Sequence, residues 1–556
     1  MAHKAKVSVR ARRPEVPVKS ISIRRRTALV MFAAFVAGLH LYAPAFGSPF
    51  VYDDFILPLD ESPEHLLGWV ARMRPLLMAT YWLNTNVLGS SPLGYHFVNL
   101  MIHAANTGLV FLILSRLLAL PSGNSTNNVS IASMVGAAVF FIHPLQTESV
   151  AYIAGRSESL AAFFVLLGYA VFLYRRHEAI SWAETAVVLA LFAFGISTKE
   201  NAVSLLGIII LTDIYWPQAF SLRGLRNNWR LYSAMGVAAI VALWWVFRLL
   251  ATAPTAGFSL RDVTWYQYGF TEARAFFTYL RLAVIPAGQS IDHYFPVSHN
   301  VLDHGAIFYL IALTGLIAVC YLWRRRYPLA CFGLFLTLIL LAPTSSIVPI
   351  RDPLVERRMY LPLLGLILIG CEIARHIHVP RRTGYAACAA MLLVLYVLCY
   401  QRNLLWAEPS ELFIEAGQDS PTGRPFVNLV KVLAEEHRCG LAIPYLRQAE
   451  QRLPNDYMME LAWGRALECT GQREQALQRL LRAARIWPSS DVYTLIGDLY
   501  GEMGRAEQAG VALRKAVALD PRSKVASQSL TDWNRWMEDV QRRKTQPSAP
   551  FTKTLP

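Results

Sequence analysis

Apolar runs separated by polar or basic turns organise the first 400 residues. The first run covers 28–47. The others cover, approximately, 96–118, 131–147, 159–174, 183–197, 201–216, 231–251, 305–323, 328–343, 361–376 and 384–401. Each approaches the roughly 20 residues that a helix needs to cross a bilayer. Together they predict an all-α, polytopic membrane part with about 11 transmembrane helices. Two stretches between runs are long. Within 48–95, Ser62, Pro63 and Glu64 form a helix start, and apolar residues from Leu66 to Tyr81 recur at helical spacing. Within 252–304, aromatic and apolar positions alternate with Arg274 and Arg281. Both predict amphipathic helices at the membrane interface rather than spans.

From about residue 403 the pattern becomes polar and helical, and it repeats. Pro421, Pro454, Pro488 and Pro521 are spaced 33, 34 and 33 residues apart. Counting back from Pro488 gives Trp463-Gly464, Leu467, Ala476, Leu480 and Ala483. Counting back from Pro521 gives Ile496-Gly497, Tyr500, Ala509, Leu513 and Ala516, with a looser copy before Pro454. This pattern resembles tetratricopeptide repeats, in which small residues let paired helices approach and proline ends the second helix. The predicted order is a basic N-terminus (1–26), a membrane domain (27–402), and a repeat domain with a capping helix (403–541). A tail expected to be disordered follows (542–556).

Composition agrees with a membrane protein: 54% of residues are hydrophobic and 16% charged, against about 25% charged in soluble domains. The net charge of +15 has its basic residues clustered between apolar runs. That is the positive-inside pattern, so no nucleic-acid partner is inferred. Residues 1–26 carry nine Lys or Arg and one acid, Glu15. The run that follows reads as a span; "APA" at 43–45 is a weak cleavage signal. Threading the spans alternately puts Arg175-Arg176, the 223–230 segment, Arg324-Arg325-Arg326 and Arg381-Arg382 on the cytoplasmic side.

The other loops then gather acids, His and Arg on the opposite face. They hold the adjacent pair Asp53 and Asp54, Arg74, His143, Glu148, Arg156, Glu158, Lys199, Glu200, Asp292, His293, Arg357, Arg358 and Tyr360. Ionisable groups at membrane depth are costly, so such a gathering marks a site. Within it, His143 reads first as a helix-end hydrogen bonder. Asp292 and His293 with the aspartate pair are candidates for a divalent metal, which spacing alone does not establish. Asn99, His103 and Asn106 lie at i, i+4, i+7 and predict hydrogen bonds between helices. Cys439 and Cys469 stand near the ends of first helices in adjacent repeats and are candidates for a disulfide in an oxidising compartment.

The strings "FVYDDFI" (50–56), "RMRPLLMATYWLN" (72–84), "GYHFVNLMIHAAN" (94–106), "FFIHPLQTESVAYIAGRSESLAAFFVLL" (140–167), "GISTKENAVSLLGIIILTD" (195–213) and "VERRMYLPLLG" (355–365) occur in order ahead of the repeats. Together they resemble the transmembrane O-mannosyltransferases that carry tetratricopeptide repeats, and their bacterial relatives. The resemblance implies a GT-C fold and transfer of a sugar from a polyprenyl-phosphate donor to a protein hydroxyl on the non-cytoplasmic side. It implies a catalytic carboxylate at Asp53 or Asp54, and it aligns Glu356, Arg357, Arg358 and Tyr360 with the family's late Arg/Tyr string. Arg358 stands where relatives have an aromatic residue. A bacterial-type relative would sit in the inner membrane, with site and repeats facing the periplasm.

Inverting transfer needs a base for the acceptor hydroxyl, a cation for the departing phosphate and a wall against water. The expected base is Asp53, with Asp54 as the alternative. The expected phosphate ligands are Arg357 or Arg358, then Arg74 and Arg156. No cofactor is required by these residues beyond the candidate metal. Competing expectations are an enzyme of the same fold acting on a lipid or glycan, a non-catalytic scaffold that recruits partners through the repeats, and a transporter. The spans are nearly free of the mid-membrane charges a transporter uses.

Overall fold

The computed structural model describes residues 36–57, 74–120, 126–175, 179–216, 222–250, 256–258, 260, 263–418, 420–521 and 523–542. The basic segment 1–26, the stretch 58–73 with Arg72, and Arg176, Arg261, Asp262 and the tail 543–556 lie outside them. Residues 1–40 and 41–556 form two units; of the first, 36–40 are described, as helix. The fold is all-α, with no strand among the described residues.

Each of the ten later apolar runs corresponds to a helix. These are α2 Pro92–Leu117, α3 Thr126–Ile142, α4 Arg156–Leu173, α5 Trp182–Thr198, α6 Ser204–Tyr215, α7 Trp229–Leu250, α9 Ala306–Trp323, α10 Pro328–Leu341, α11 Leu363–His376 and α12 Arg381–Ala407. Among the described residues, four helical stretches are long and apolar enough to cross a membrane: Pro92–Leu117, Ile153–Leu173, Asp303–Trp323 and Arg381–Ala407. A fifth is a pair, Asn128–Ile142 and Pro144–Ala151, bent by 52° where Pro144 cannot continue the ladder. Trp182–Thr198 and Pro328–Leu341 are apolar but shorter. The eleven spans of the hydropathy pattern thus include helices below full spanning length. α9 and α12 are largely exposed along their apolar windows, as lipid-facing helices are.

The long loops hold further helices. Of the first, α1 (Pro75–Leu88) is described; it begins at a proline after Arg74, whose φ of 61° is non-helical. In the second, α8 (Trp265–Val284) buries Tyr268, Glu272, Phe276 and Tyr279 at helical spacing. It is covered on one side rather than lying free at an interface.

The loops that the charge pattern sorts apart are also sorted in space. On one side, Arg175 pairs with Asp213, which also accepts from Asn228 and the Tyr232 hydroxyl; Tyr215 donates to the carbonyls of Arg324 and Pro328. The remaining loops contact one another around Asp53, as described below.

Beyond α12 come α13 Pro409–Gln418, α14 Arg424–Glu435, α15 Ala442–Glu450, α16 Tyr457–Cys469, α17 Arg473–Ile486, α18 Ser490–Glu502, α19 Ala506–Leu519 and α20 Lys524–Arg542. They pack as successive pairs. A Cβ on Gly464 would come 2.6 Å from Leu480, and one on Gly497 would come 2.6 Å from Leu513, so glycine is required at both crossings. The two contacts are copies of each other one repeat apart, which is the periodicity of the sequence expressed as packing. Trp533 of α20 lies over Gly510 and covers the last pair. Cys439 and Cys469 are disulfide-bonded, with Cα atoms 6.1 Å apart.

Candidate active site

The sequence "VYDDF" makes a single 3₁₀ turn, Tyr52–Ile56. Tyr52 has φ 50°, a costly conformation for a bulky residue. The turn sends the two aspartates in opposite directions. Asp54 is buried (1% exposed) and accepts from the backbone N–H of Val51 (3.0 Å) and of Ala154 (2.8 Å). Burial pushes its carboxyl up to about 7, with neighbouring Asp53 adding to the effect and the two N–H bonds opposing it. Asp53 is exposed. Its backbone N–H donates to the Tyr152 hydroxyl (3.0 Å), while its carboxylate makes no hydrogen bond to any described residue.

Tyr152 follows the short helix Thr147–Ala151. The turn back toward α4 depends on Gly155, where a Cβ would sit 2.6 Å from the Glu148 carbonyl oxygen. Arg357 also lies by the Tyr152 ring, its guanidinium carbon 5.8 Å from the ring centre. Glu148 holds Arg357 twice, accepting from its backbone N–H (2.8 Å) and from Nη1 (2.5 Å). Nε and Nη2 of Arg357 make no hydrogen bond to described residues, and its side chain is 30% exposed. Asp53 and Arg357 therefore both adjoin one tyrosine, the first with a carboxylate and the second with half its fork making no hydrogen bond to described residues.

Glu356, next to Arg357, is buried and gathers the 289–293 loop. It accepts from Gln289 (2.6 Å), the Ser290 N–H (2.7 Å) and His293 Nε2 (2.7 Å). Burial opposes its charge, but the His293 bond and the Arg402 field hold its carboxyl below the usual range. Asp292 does not join this group; it is gripped by both sides of the Arg424 fork, which also donates to Asp352 (2.7 Å). Arg424 belongs to α14, so the repeat helices hold two loops of the membrane part. Tyr52 likewise leans on Phe413 of α13, with ring centres 4.9 Å apart.

Other expected residues form a second cluster. Arg74 makes a two-pronged ion pair with Glu200 (2.6 and 3.2 Å), and Glu158 accepts from Lys199 and from Asn201 (2.8 Å). Arg357 lies within the electrostatic reach of Glu158, Arg74 and Lys199, so the clusters adjoin. Between them and α10 is a narrow cleft lined by Glu158, Asn201, Thr344, Arg358 and Tyr360, with room for about one water at 20 Å³.

Several candidates are engaged in packing instead. Arg156 is fully buried; Asn99, Asn84 and the carbonyls of Tyr95 and Thr80 take its donors, and it stacks 4.6 Å over Tyr81. It has no free face for a phosphate. Arg358 donates to the carbonyls of Asp352 and Pro353 (both 2.7 Å) and lies 3.6 Å from Glu272, so it staples its own loop. The Tyr360 hydroxyl turns away to His103 (2.8 Å) and Asn106 (2.9 Å). His143 caps the turn at Pro144, accepting from the Leu145 N–H, with its other nitrogen on the Ala283 carbonyl. Asn99 and Asn106 bond across helices to the backbone of 150–153 and of Ser159. Among the described residues, no group of three or more His, Cys, Asp or Glu is arranged to hold a metal.

Tyr152, Gln289, Asn201 and Arg424 are parts of the site that the sequence motifs did not single out. Tyr152 had a signal, standing four residues after Glu148 in the string that carries the acids. Arg424 had none, because its partners lie 132 and 72 residues away.

No family model matches the chain, and no solved structure matches it. It is similar to protein O-mannosyl-transferase TMTC3 of Mus musculus, 22% identical over 525 residues, covering 84% of this chain and 55% of the relative. Over 483 residues it is 24% identical to protein O-mannosyl-transferase TMTC4 of Homo sapiens, covering 73% of this chain and 64% of the relative. A shorter match, 30% over 241 residues, is to protein O-mannosyl-transferase Tmtc1 of Drosophila melanogaster, covering 41% of this chain and 26% of the relative. The chain spans about half the length of the curated relatives it matches. It is thus a homologue, at low identity, of the transmembrane protein O-mannosyl-transferases that its motifs and repeats resemble.

Proposed function

We propose that the chain is an integral-membrane glycosyltransferase that moves a sugar from a polyprenyl-phosphate carrier to a protein Ser or Thr hydroxyl. Mannose is the first candidate, since the relatives are named for it. The carrying observation is the pair of groups beside Tyr152: Asp53 with an uncommitted carboxylate and Arg357 with an uncommitted half of its guanidinium. Asp53 takes the proton of the acceptor hydroxyl as its oxygen attacks the anomeric carbon. The bond to the carrier phosphate breaks, and Arg357, oriented by Glu148, receives the charge on the phosphate. Attack opposite the leaving group inverts the anomeric centre. Asp54 serves as the clamp that joins the catalytic turn to Ala154.

The site is read as facing the non-cytoplasmic side. Support comes from the basic loops on the opposite side of the threading and from the disulfide in the repeats, since such bonds persist in oxidising compartments. The repeats are read as the acceptor-binding domain. A scaffold would have no use for an arginine held twice by a buried glutamate with its remaining donors open.

The test is transfer by the purified full-length protein in nanodiscs, given polyprenyl-phosphate-mannose and Ser/Thr peptides, followed by intact mass. A gain of one hexose that Asp53→Asn and Arg357→Ala both abolish is expected. Full transfer by both variants would overturn the proposal.

A further inference from the structure

The helices α13 and α14 are packed as a pair: a Cβ on Gly417 would come 2.7 Å from the Phe426 ring. The pair meets the membrane part at two places. On α13, the Phe413 ring lies against Tyr52, the residue before Asp53. Tyr52 has φ 50°, and a bulky residue keeps such a conformation only where its surroundings fix it. On α14, the first residue is Arg424. Its Nε (2.9 Å) and Nη2 donate to Asp292, and its Nη1 donates to Asp352 (2.7 Å). Asp292 is buried, and among the described residues its carboxylate accepts from Arg424 alone.

Both aspartates belong to segments that frame Arg357. Asp292 stands two residues after Ser290, whose N–H, with the side chains of Gln289 and His293, bonds Glu356. Asp352 begins the segment 352–358, which Arg358 closes by donating to the carbonyls of Asp352 and Pro353. Glu356 is the contact between the two segments, and Arg357 is its neighbour. The start of α14 is itself fixed from behind. The Gly423 N–H donates to Asp456 (3.0 Å), which also caps α16 at the Met459 N–H (2.8 Å). A Cβ on Gly423 would run into the Met459 backbone. Arg424 is thus anchored by the second repeat on one side and bridges two loops of the membrane part on the other.

We infer that α13 and α14 are a structural half of the active site, and that Arg424 is a positioning residue for Arg357. The inference rests on the glycosyltransferase reading above and adds that the repeat domain governs the chemical step as well as acceptor binding. Without Arg424, Asp292 would keep a buried charge with no donor among the described residues, and the two segments would lose their common tie. Arg357 would then lose the placement that its open donors need toward a departing phosphate. Lysine does not replace this arginine, because one ammonium lacks the rigid fork that spans two carboxylates.

The test compares wild type, Arg424→Ala and Arg424→Lys, each full-length in nanodiscs, with polyprenyl-phosphate-mannose and a Thr peptide. Steady-state transfer gives kcat and the peptide KM. Hydrogen exchange read by mass spectrometry gives the opening of segments 289–293 and 352–358. Arg424→Ala is expected to lower kcat about 10–10²-fold, the cost of a misplaced group, with the peptide KM within about twofold of wild type. It should also speed exchange in both segments. Arg424→Lys should recover only part of kcat. Adding Asp352→Asn to Arg424→Ala should lower kcat little further, because the tie is already gone. Melting temperature checks folding; if Arg424→Ala is unfolded, Arg424→Lys carries both readouts. A raised peptide KM at full kcat would overturn the inference in favour of acceptor binding. Unchanged kcat with unchanged exchange would overturn it alone. If wild type transferred nothing, the glycosyltransferase reading would fall, and exchange in the two segments would still decide whether Arg424 holds them.

Discussion

The two aspartates of the Tyr52–Ile56 turn should fail in different ways when each is changed to asparagine. Asp53 is exposed and its carboxylate has no partner among the described residues, so Asp53→Asn should change stability by less than about 0.5 kcal/mol. It removes the base, and transfer should fall by about 10²–10⁴, or roughly 3–5 kcal/mol of barrier. Asp54→Asn places an amide NH₂ against one of two buried N–H groups, Val51 or Ala154. That leaves a donor unpaired, at a cost of about 1–3 kcal/mol. The sign depends on pH. The carboxyl of Asp54 titrates near 7 in the fold and near 3.8 unfolded. Between those values the folded state holds the extra proton, so this group's contribution to stability is full below about pH 4 and declines as pH rises toward 7. The span is on the order of 4 kcal/mol at most. Asp54→Asn should remove that dependence, so its deficit against wild type shrinks from pH 5 to pH 8. Thermal melts at several pH values and initial transfer rates on the same preparations measure both effects. If Asp54→Asn abolished transfer with an unchanged melt while Asp53→Asn kept full rate, the assignment of base and clamp would be reversed.

Arg357→Ala should slow transfer about 10²–10³-fold, as loss of a preorganised charge donor does, and Arg357→Lys should restore little because the second prong and the Tyr152 stacking are lost; steady-state rates with the lipid-linked donor check this. Reducing the disulfide, or Cys439→Ser with Cys469→Ser, opens a loop of 30 residues and should cost about 3–4 kcal/mol in the repeats, seen as a lower melting temperature. Gly497→Ala brings a Cβ 2.6 Å from Leu513 and should cost about 1–3 kcal/mol, measured by the same melt, while leaving the transfer rate per folded molecule unchanged.

The helices were legible because hydrophobic runs and proline spacing are local signals. Ten apolar runs fall on ten helices, and the Gly464 and Gly497 crossings repeat the register counted from Pro488 and Pro521. Charge also grouped the loops: Arg175 and the 223–230 segment fall near one another through Asp213, apart from the loops that hold Asp54 and Glu148. The job of each charged residue was not. Arg156 resembles a ligand in the sequence, yet Asn99 and Asn84 reach it from 57 and 72 residues away and take it into the helix packing. Which aspartate is locked depends on the positive φ of Tyr52 and on a bond to Ala154, 100 residues distant. Nothing in a linear pattern encodes such a long-range choice. Of the periodic stretch that begins at Ser62, residues 62–73 lie outside the described residues, and a helix is described from Pro75.

The acids of the site divide by what they hold. Asp54 accepts from the N–H groups of Val51 and Ala154, Glu148 from the N–H of Arg357, and Glu356 from the N–H of Ser290. Each joins a loop to its neighbour, and all three are buried. A carboxylate so used is buried and committed to backbone N–H groups, which leaves it poorly placed to meet an acceptor hydroxyl, whatever its proton affinity. Asp53 differs on both counts, being held only through its backbone by Tyr152. The clustering of acids that marks this face is therefore mostly a means of fixing loops that must be irregular to reach the site. The proposed chemistry needs one carboxylate among them, and Asp53 is chosen because it has no structural task among the described residues. The same division separates the arginines: Arg156 and Arg358 are engaged by carbonyls and amides, whereas Arg357 is anchored on one side and open on the other. The proposed base and cation are thus chosen by the same criterion, and both lie beside the same tyrosine.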